Sequence, residues 1–485
     1  MQVDRSPTPR RRRAAAAVGL AGLGVAEVVA AARGSSLIDG MGRAIVDGSP
    51  RLLVDRTVAL LGSHDKAAIR LSVGASTIWA AAGLARLPAK IRTPAVAALA
   101  AATAGATLRR PPRSVGAALA AAAAGAIATS VGLSRGPANA RSELAWAVLG
   151  GGSLVAARTF LARRRHRYSR LIEGDRRSAQ PDPMPSDGAE MLPGLAPLIT
   201  PIDQFYVTDV NLGAPIVDPA GWRLAVTGLV GKPQRWSLNE LAAEAESFDA
   251  VMVCVHNPVG GDRVGNGRWL GVPLQTILTR ADASAHATTL VTRAVDGFTT
   301  SLPVQPLRSG DWSGYVVIGS NGGPLPARHG YPARVFVPGI YGQYTGVKWL
   351  TELELIAGPH DDYWAPRGWP HEPAWVQPQA RIDVPPTGAH AGREVTVAGV
   401  AWAPPHGVAG VEVRTGQGPW RAADLARELA PSSWRRWRAA LDLPPGVHTV
   451  QARTISQSGE VQEGRQRPPF PLGASGWHTV SVHVS

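Results

Sequence analysis

Hydrophobic residues are distributed in three ways along the chain. In the first third they come in long runs, at residues 14–32 (broken only by Glu27), 67–87, 94–108, 114–133 and 143–162, separated by short stretches carrying Arg, Pro or Gly. Runs of this length predict five membrane-spanning helices, rich in Ala and Gly and so suited to close helix packing. Residues 52–62 have helical apolar spacing but are too short to cross, which predicts an interfacial helix. Past residue 201 the runs shorten and mix: a period-2 strand at 222–228, a capping box at Ser237 to Glu240, an apolar strand at 250–255, a helix at 273–280, and a strand at 289–294 ending at Asp296-Gly297. Strands and helices mixed without regular alternation predict an α+β domain. From residue 381 onward short alternating strands take over, at 394–402, 408–414, 434–441, 448–455 and 477–484, the layout of an all-β, immunoglobulin-like sandwich.

Composition adds a boundary. Residues 173–201 are rich in Pro, Asp, Gly and Ser, as a linker is. The expected organisation is therefore multi-domain: an α-helical transmembrane region over 1–170, a linker over 171–201, an α+β domain over 202–378 and an all-β domain over 379–485.

The formal charge of +14 would suggest nucleic acid, but residues 1–178 carry 27 Lys and Arg against 9 Asp and Glu, and the remainder is net −4. The basicity belongs to the membrane part, so nucleic-acid binding loses its support. No G-x-G-x-x-G follows a strand and no phosphate-binding loop is present, which leaves nicotinamide and nucleoside-triphosphate chemistry unsupported. Through Ser178 the histidines are His64, in a loop, and His166, beyond the last apolar run, so bis-histidine haem within a bilayer has no ligands. Any electron partner is expected to be a separate molecule.

The chain is organised around residues 247–271. Its one cysteine, Cys254, stands where an apolar strand gives way to polar, glycine-rich sequence. Taken alone, such a cysteine is an inert small hydrophobe. Downstream, in order, come His329-Gly-Tyr-Pro-Ala-Arg334, Val335-Phe-Val-Pro-Gly339 and Gly346-Val-Lys-Trp349. Together with the Cys254 segment, this order resembles the molybdenum-cofactor domain of the sulfite oxidase family over about residues 205–369.

The resemblance implies a molybdenum-molybdopterin cofactor and a role for each matching residue. Cys254 would be the metal's protein ligand and the catalytic residue, a soft thiolate for a soft site. Arg334 and Lys348 would meet the cofactor's anionic part, Arg as a planar fork and Lys as a point charge. His329, Asp296 and the Tyr206-Val207 backbone would make further contacts, and Gly346-Val347 would form a backbone edge against the pterin. Asn257, Gly260, Gly261 and Trp269 are expected to shape the loop after the cysteine, and Pro338-Gly339 to turn the Arg334 strand back toward Lys348. Tyr331, Tyr341, Tyr344, Trp349, Tyr363, Trp364 and Trp369 are candidates for a substrate mouth or for packing.

Two positions depart from the family pattern: Thr208 stands where an arginine is expected, and Trp369 where a tyrosine is. Fewer converging cations weaken the case for an oxyanion substrate. The expected protein is a multi-pass cell-membrane oxidoreductase with an extracytoplasmic catalytic domain, acting on a small molecule by two-electron, oxo-transfer chemistry. The C-terminal resemblance implies a homodimer. Reduction of an S-oxide is the alternative reaction, and a non-catalytic membrane receptor the alternative class.

Overall fold

The computed structural model describes residues 9–32, 36–49, 65–84, 87–108, 115–135, 140–178 and 185–485. They form two compact units. One comprises the residues up to Leu171 with Asp209–Ile216 and Val295–Gly297; the other comprises Ile172–Thr208, Val217–Ala294 and Phe298–Ser485.

The first unit is built from helices α1 (Pro9–Ala32), α2 (Leu37–Gly48), α3 (Asp65–Leu84), α4 (Ala89–Leu108), α5 (Val115–Arg135) and, as far as Leu171, α6 (Ala140–Ser178). Five of them stand on the five apolar runs. Helix α4 starts five residues before Pro94, which the ring tolerates so close to a helix start at the loss of one backbone bond. Helix α6 continues past its apolar run through Arg163–Arg167 into the stretch read as linker, ending at Ser178. The short α2 was not anticipated, because Asp and Gly interrupt its apolar face; Ser36 caps it by accepting from the Asp39 N–H at 3.1 Å. The interfacial helix expected at 52–62 lies outside the described residues. By length and composition, two segments, Arg13–Ala32 and Arg141–Asp175, are long and apolar enough to cross a bilayer, and Ala118–Ser134 is a shorter apolar stretch.

Small residues let these helices approach. A Cβ on Gly22 would meet the Thr129 hydroxyl at 2.0 Å, and one on Gly150 would meet the Ala21 backbone at 2.4 Å. Burial leaves Glu27 and Asp39 inside, and both are compensated. Glu27 Oε1 accepts from Ser36 Oγ at 3.0 Å and the Ile38 N–H at 2.7 Å. Asp39 pairs with Arg70 at 2.8 Å, Arg158 at 3.1 Å and Arg165 at 3.5 Å.

The second unit opens with β1 (Leu224–Gly228), β2 (Gln234–Trp236), α7 (Leu238–Glu244), β3 (Glu246–Val253), β4 (Val264–Pro273), α8 (Leu274–Arg280), β5 (Thr289–Ala294), β6 (Thr299–Pro303), α9 (Val304–Ser309), β7 (Tyr315–Ser320), β8 (Gly323–Pro324), β9 (Arg334–Phe336), α10 (Gly342–Thr345) and β10 (Leu350–Ile356). One sheet runs β2-β1-β10-β5-β6, with β1 and β10 parallel; the other runs β3-β4-β7-β8, with β9 on β7. This is a mixed α+β domain. The capping box forms, Glu240 N–H to Ser237 Oγ at 3.2 Å and Ser237 N–H to Glu240 at 2.7 Å.

The glycine-rich stretch after Cys254, read as loop, contains β4, paired along its length with β3. Its glycines mark crowding rather than turning. A Cβ on Gly265 would strike the Phe205 ring at 2.8 Å, and one on Gly267 the Trp269 indole at 3.0 Å.

The C-terminal part is two sheets around one core. Strands Gln379–Val384, Glu394–Trp402, Arg435–Asp442 and Asp424–Leu425 form one, and Ala389–Ala391, His478–Val484, Gly446–Ser456, Val408–Thr415 and Arg421–Ala422 the other. Val397, Val413, Val450 and Val482 are fully buried between them. Residues 185–201 have no helix or strand but are pinned to this part: Asp187 forms a two-pronged ion pair with Arg436, Nε to Oδ2 at 2.7 Å, with both side chains buried.

Candidate functional site

Cys254 follows β3 directly and is 6% exposed. Its N–H donates to the Arg263 carbonyl at 3.0 Å, and its carbonyl accepts the Asn257 N–H at 2.9 Å. Asn257 in turn accepts the Arg263 N–H on its side chain at 2.8 Å. A Cβ on Gly261 would lie 2.6 Å from that amide oxygen, so the loop residues have the shape role expected of them. The turn is thus closed from both sides, and the sulfur is held at its end.

Burial pushes the thiol's pKa up, against the His256 N–H, the Thr208 hydroxyl and the Arg263 charge, which lower it. Thr208 Oγ1 lies 3.9 Å from the sulfur. Tyr206 is half-buried, yet its hydroxyl is enclosed; burial first, then the neighbouring Cys254, raise its pKa well above the usual value, while Arg334 lowers it. Burial also lifts Tyr341, to about 12, although its hydroxyl accepts the Gln377 N–H.

The downstream motifs fold onto each other. The Val335 N–H donates to the Val347 carbonyl at 3.0 Å, and the Leu350 N–H to Ala333 at 2.9 Å, which lays the Arg334 strand beside the Lys348 segment. Pro338-Gly339 supplies the reversal, with Gly339 at φ +88°. Arg334 is buried, donating to the His329 carbonyl and to Met252 Sδ, each at 3.3 Å. Lys348 Nζ donates to the Thr208 carbonyl at 3.0 Å and to Arg328 at 3.1 Å. His329 is buried with its ring edge-to-face with Phe205 at 6.0 Å.

Of the residues singled out in the sequence, Cys254, Tyr206, Val207, His329, Arg334, Gly346, Val347 and Lys348 belong to this one unit. Thr208 links the thiol to Lys348, and Tyr206 lies close enough to feel both Cys254 and Arg334. Asp296 belongs to the helical unit, where its buried carboxylate accepts the Asn211 amide. Gly346 has a turn-closing role: a Cβ there would lie 2.2 Å from the Gly342 carbonyl oxygen. Of the aromatic group, Tyr331, Tyr341, Tyr344, Trp349 and Trp369 are buried, and Trp369 meets the His256 ring at 5.4 Å.

Sequence reasoning passed over Arg263, Met252, Gln343 and Thr345. Gln343 and Thr345 are polar residues inside an aromatic run, and only their burial without partners reveals them: both ends of the Gln343 amide and the Thr345 hydroxyl lack a hydrogen bond.

Residues 211–364 match the family model of the oxidoreductase molybdopterin binding domain. Sulfite oxidases of Mus musculus and Homo sapiens are each 26% identical, over 59% of this chain and 62% of their own length. Residues 211–364 thus carry a molybdopterin-binding oxidoreductase domain of the kind found in sulfite oxidases. The chain spans less than two thirds of those mammalian relatives. An uncharacterized oxidoreductase of Bacillus subtilis, YuiH, is 29% identical over 31% of this chain and 74% of its own. The sulfane dehydrogenase SoxCD of Paracoccus pantotrophus shares the fold, with a TM-score of 0.52 at 22% identity over 59% of this chain and 84% of that one.

The residues present fit the family's cofactor. Among the described residues no three His, Cys, Asp or Glu side chains converge, so a metal at Cys254 would draw its other ligands from a bound organic group. The buried Arg334, the half-buried Lys348 and the unsatisfied polar atoms of Gln343 and Thr345 offer what a polar heterocycle with an anionic tail requires.

Proposed function

We propose that this chain is a membrane-anchored molybdopterin enzyme that carries out a two-electron reaction, of the oxo-transfer class, on a small molecule at a molybdenum held by Cys254. The observation that carries this is that Thr208 lies against both the Cys254 sulfur and Lys348, while Tyr206 lies within electrostatic reach of both Cys254 and Arg334, all in one unit. When bound, the cofactor supplies the two-electron redox chemistry. The chain's own share is placement. The closed turn 254–263 fixes the sulfur, and burial excludes water from it. Arg334 and Lys348 would hold the cofactor's anionic part, and the 346–347 backbone would lie against its ring. For Asp296 the support is the family resemblance alone.

The apolar helices support membrane anchoring as a multi-pass protein, and for an extracytoplasmic catalytic domain the support is the family resemblance alone. The two-sheet C-terminal part supports an immunoglobulin-like module, and the homodimer rests on the resemblance of that module to the family's dimerisation domain. Electrons pass to or from a separate partner. Reduction of a neutral S-oxide is the second reading. It is favoured by Thr208, whose hydroxyl lies 3.9 Å from the Cys254 sulfur at the position where the family pattern has an arginine.

The test is molybdenum and pterin content of the purified full chain, followed by a substrate screen with viologen and ferricyanide as redox partners. Cys254→Ser is expected to abolish turnover while thermal unfolding stays unchanged. Protein carrying neither metal nor pterin would identify a non-catalytic receptor instead, and unchanged turnover in the variant would remove the ligand role.

A further inference from the structure

Helix α10 is a single turn between two parts of the site. At its start, a Cβ on Gly342 would lie 3.6 Å from the Tyr206 hydroxyl and 3.6 Å from the Val253 carbonyl, one residue before Cys254. Just past its end, a Cβ on Gly346 would lie 3.7 Å from a guanidinium nitrogen of Arg334. Between these points stand Gln343, 7% exposed, and Thr345, fully buried. Neither end of the Gln343 amide has a hydrogen-bond partner, nor does the Thr345 hydroxyl. The Tyr344 hydroxyl lies near Gln343 without closing a bond of normal geometry, and itself donates to Pro370. Among the described residues Gln343 is the one side chain with two such atoms; elsewhere they occur singly.

A buried polar group without a partner is a cost that folded proteins avoid, and three such atoms within one turn point to a missing polar ligand. The turn's neighbours restrict what it is. One end of the turn lies against the backbone next to Cys254 and the other near the buried Arg334, the two residues the cofactor reading already assigns. A pterin edge presents N–H and C=O groups side by side, and a primary carboxamide offers the matching pair.

We propose that Gln343 and Thr345 are hydrogen-bond partners of the pterin ring, the Gln343 amide pairing with its donor-acceptor edge and the Thr345 hydroxyl with an adjacent polar atom. This deepens the cofactor reading and rests on it. It also predicts opposite signs for one substitution in two states. Gln343→Met and Thr345→Val keep the volume and delete the polar atoms, so they relieve the cofactor-free protein and weaken the loaded one.

The experiment compares the full-length wild type and both variants, made in a host that synthesises molybdopterin and in one that does not. Pterin per chain is measured by fluorescence after oxidation, and thermal midpoints are taken on the cofactor-free proteins. Retention of pterin is expected to fall roughly tenfold in each variant, with the cofactor-free midpoint unchanged or raised. Pterin content equal to wild type in both variants would overturn the assignment while leaving the cofactor reading intact. So would a lowered cofactor-free midpoint, which would make the residues structural. A wild type devoid of pterin would end both.

Discussion

Gly346→Ala tests the geometry of α10 directly. The added methyl would start 2.2 Å from the Gly342 carbonyl oxygen, while real Cβ contacts do not fall below 3.0 Å, so the turn must open by about 0.8 Å. The obstacle is backbone, which cannot swing aside as a side chain could. Small-to-large changes at a packed site cost about 1–3 kcal/mol, which for a unit of this size lowers the midpoint by about 2–6 °C. The functional effect should be larger than the loss of stability. A binding constellation has to be held within about 0.5 Å, and the required displacement exceeds that, at a turn carrying Gln343 and Thr345. Thermal unfolding and pterin content of the full chain are the assays. Gly392→Ala is the control, since a Cβ there meets nothing within 4 Å. Its effect should stay within about 0.5 kcal/mol. If the two alanine variants unfold at the same temperature and carry equal pterin, the crowding argument for α10 is wrong.

Cys254 is the chain's one cysteine, so thiol alkylation reports on it alone. Because burial raises its pKa, the cofactor-free folded protein should react with iodoacetamide over tenfold more slowly than a free thiol at about pH 8, and accelerate only at more alkaline pH. A free-thiol rate in the folded state would contradict that burial. The Asp187–Arg436 pair should be costly to break. Asp187→Ala strands a buried guanidinium, and a loss of about 3–5 kcal/mol is expected at neutral pH by denaturant unfolding. Burial acts to raise the Asp187 pKa, but the Arg436 hydrogen bond, the Ala189 N–H and the Arg436 charge together depress it. The pair's contribution is therefore present above the unfolded carboxyl pKa of about 3.9 and is lost as pH falls through the lower, folded value. A variant gap that widens in acid would refute the assignment.

What the sequence determined by itself was whatever depends on near neighbours along the chain or on an ordered set of motifs. The five apolar runs became helices because their length and composition suffice without a partner. The capping box at Ser237 formed because both of its bonds are local. The Cys254, His329, Arg334 and Lys348 motifs were legible because each residue type suits one part of the cofactor's chemistry. Packing decided the rest. Glycines 265 and 267 read as loop because glycine punctuates chains, and only the Phe205 and Trp269 rings lying over β4 explain them. Asp187 looked like linker until Arg436, far along the chain, claimed it. Thr208 became a link between Cys254 and Lys348 only once separate segments had come together. Gln343 and Thr345 carry no sequence signal at all, because a missing hydrogen-bond partner is a property of surroundings that exist only in the folded chain.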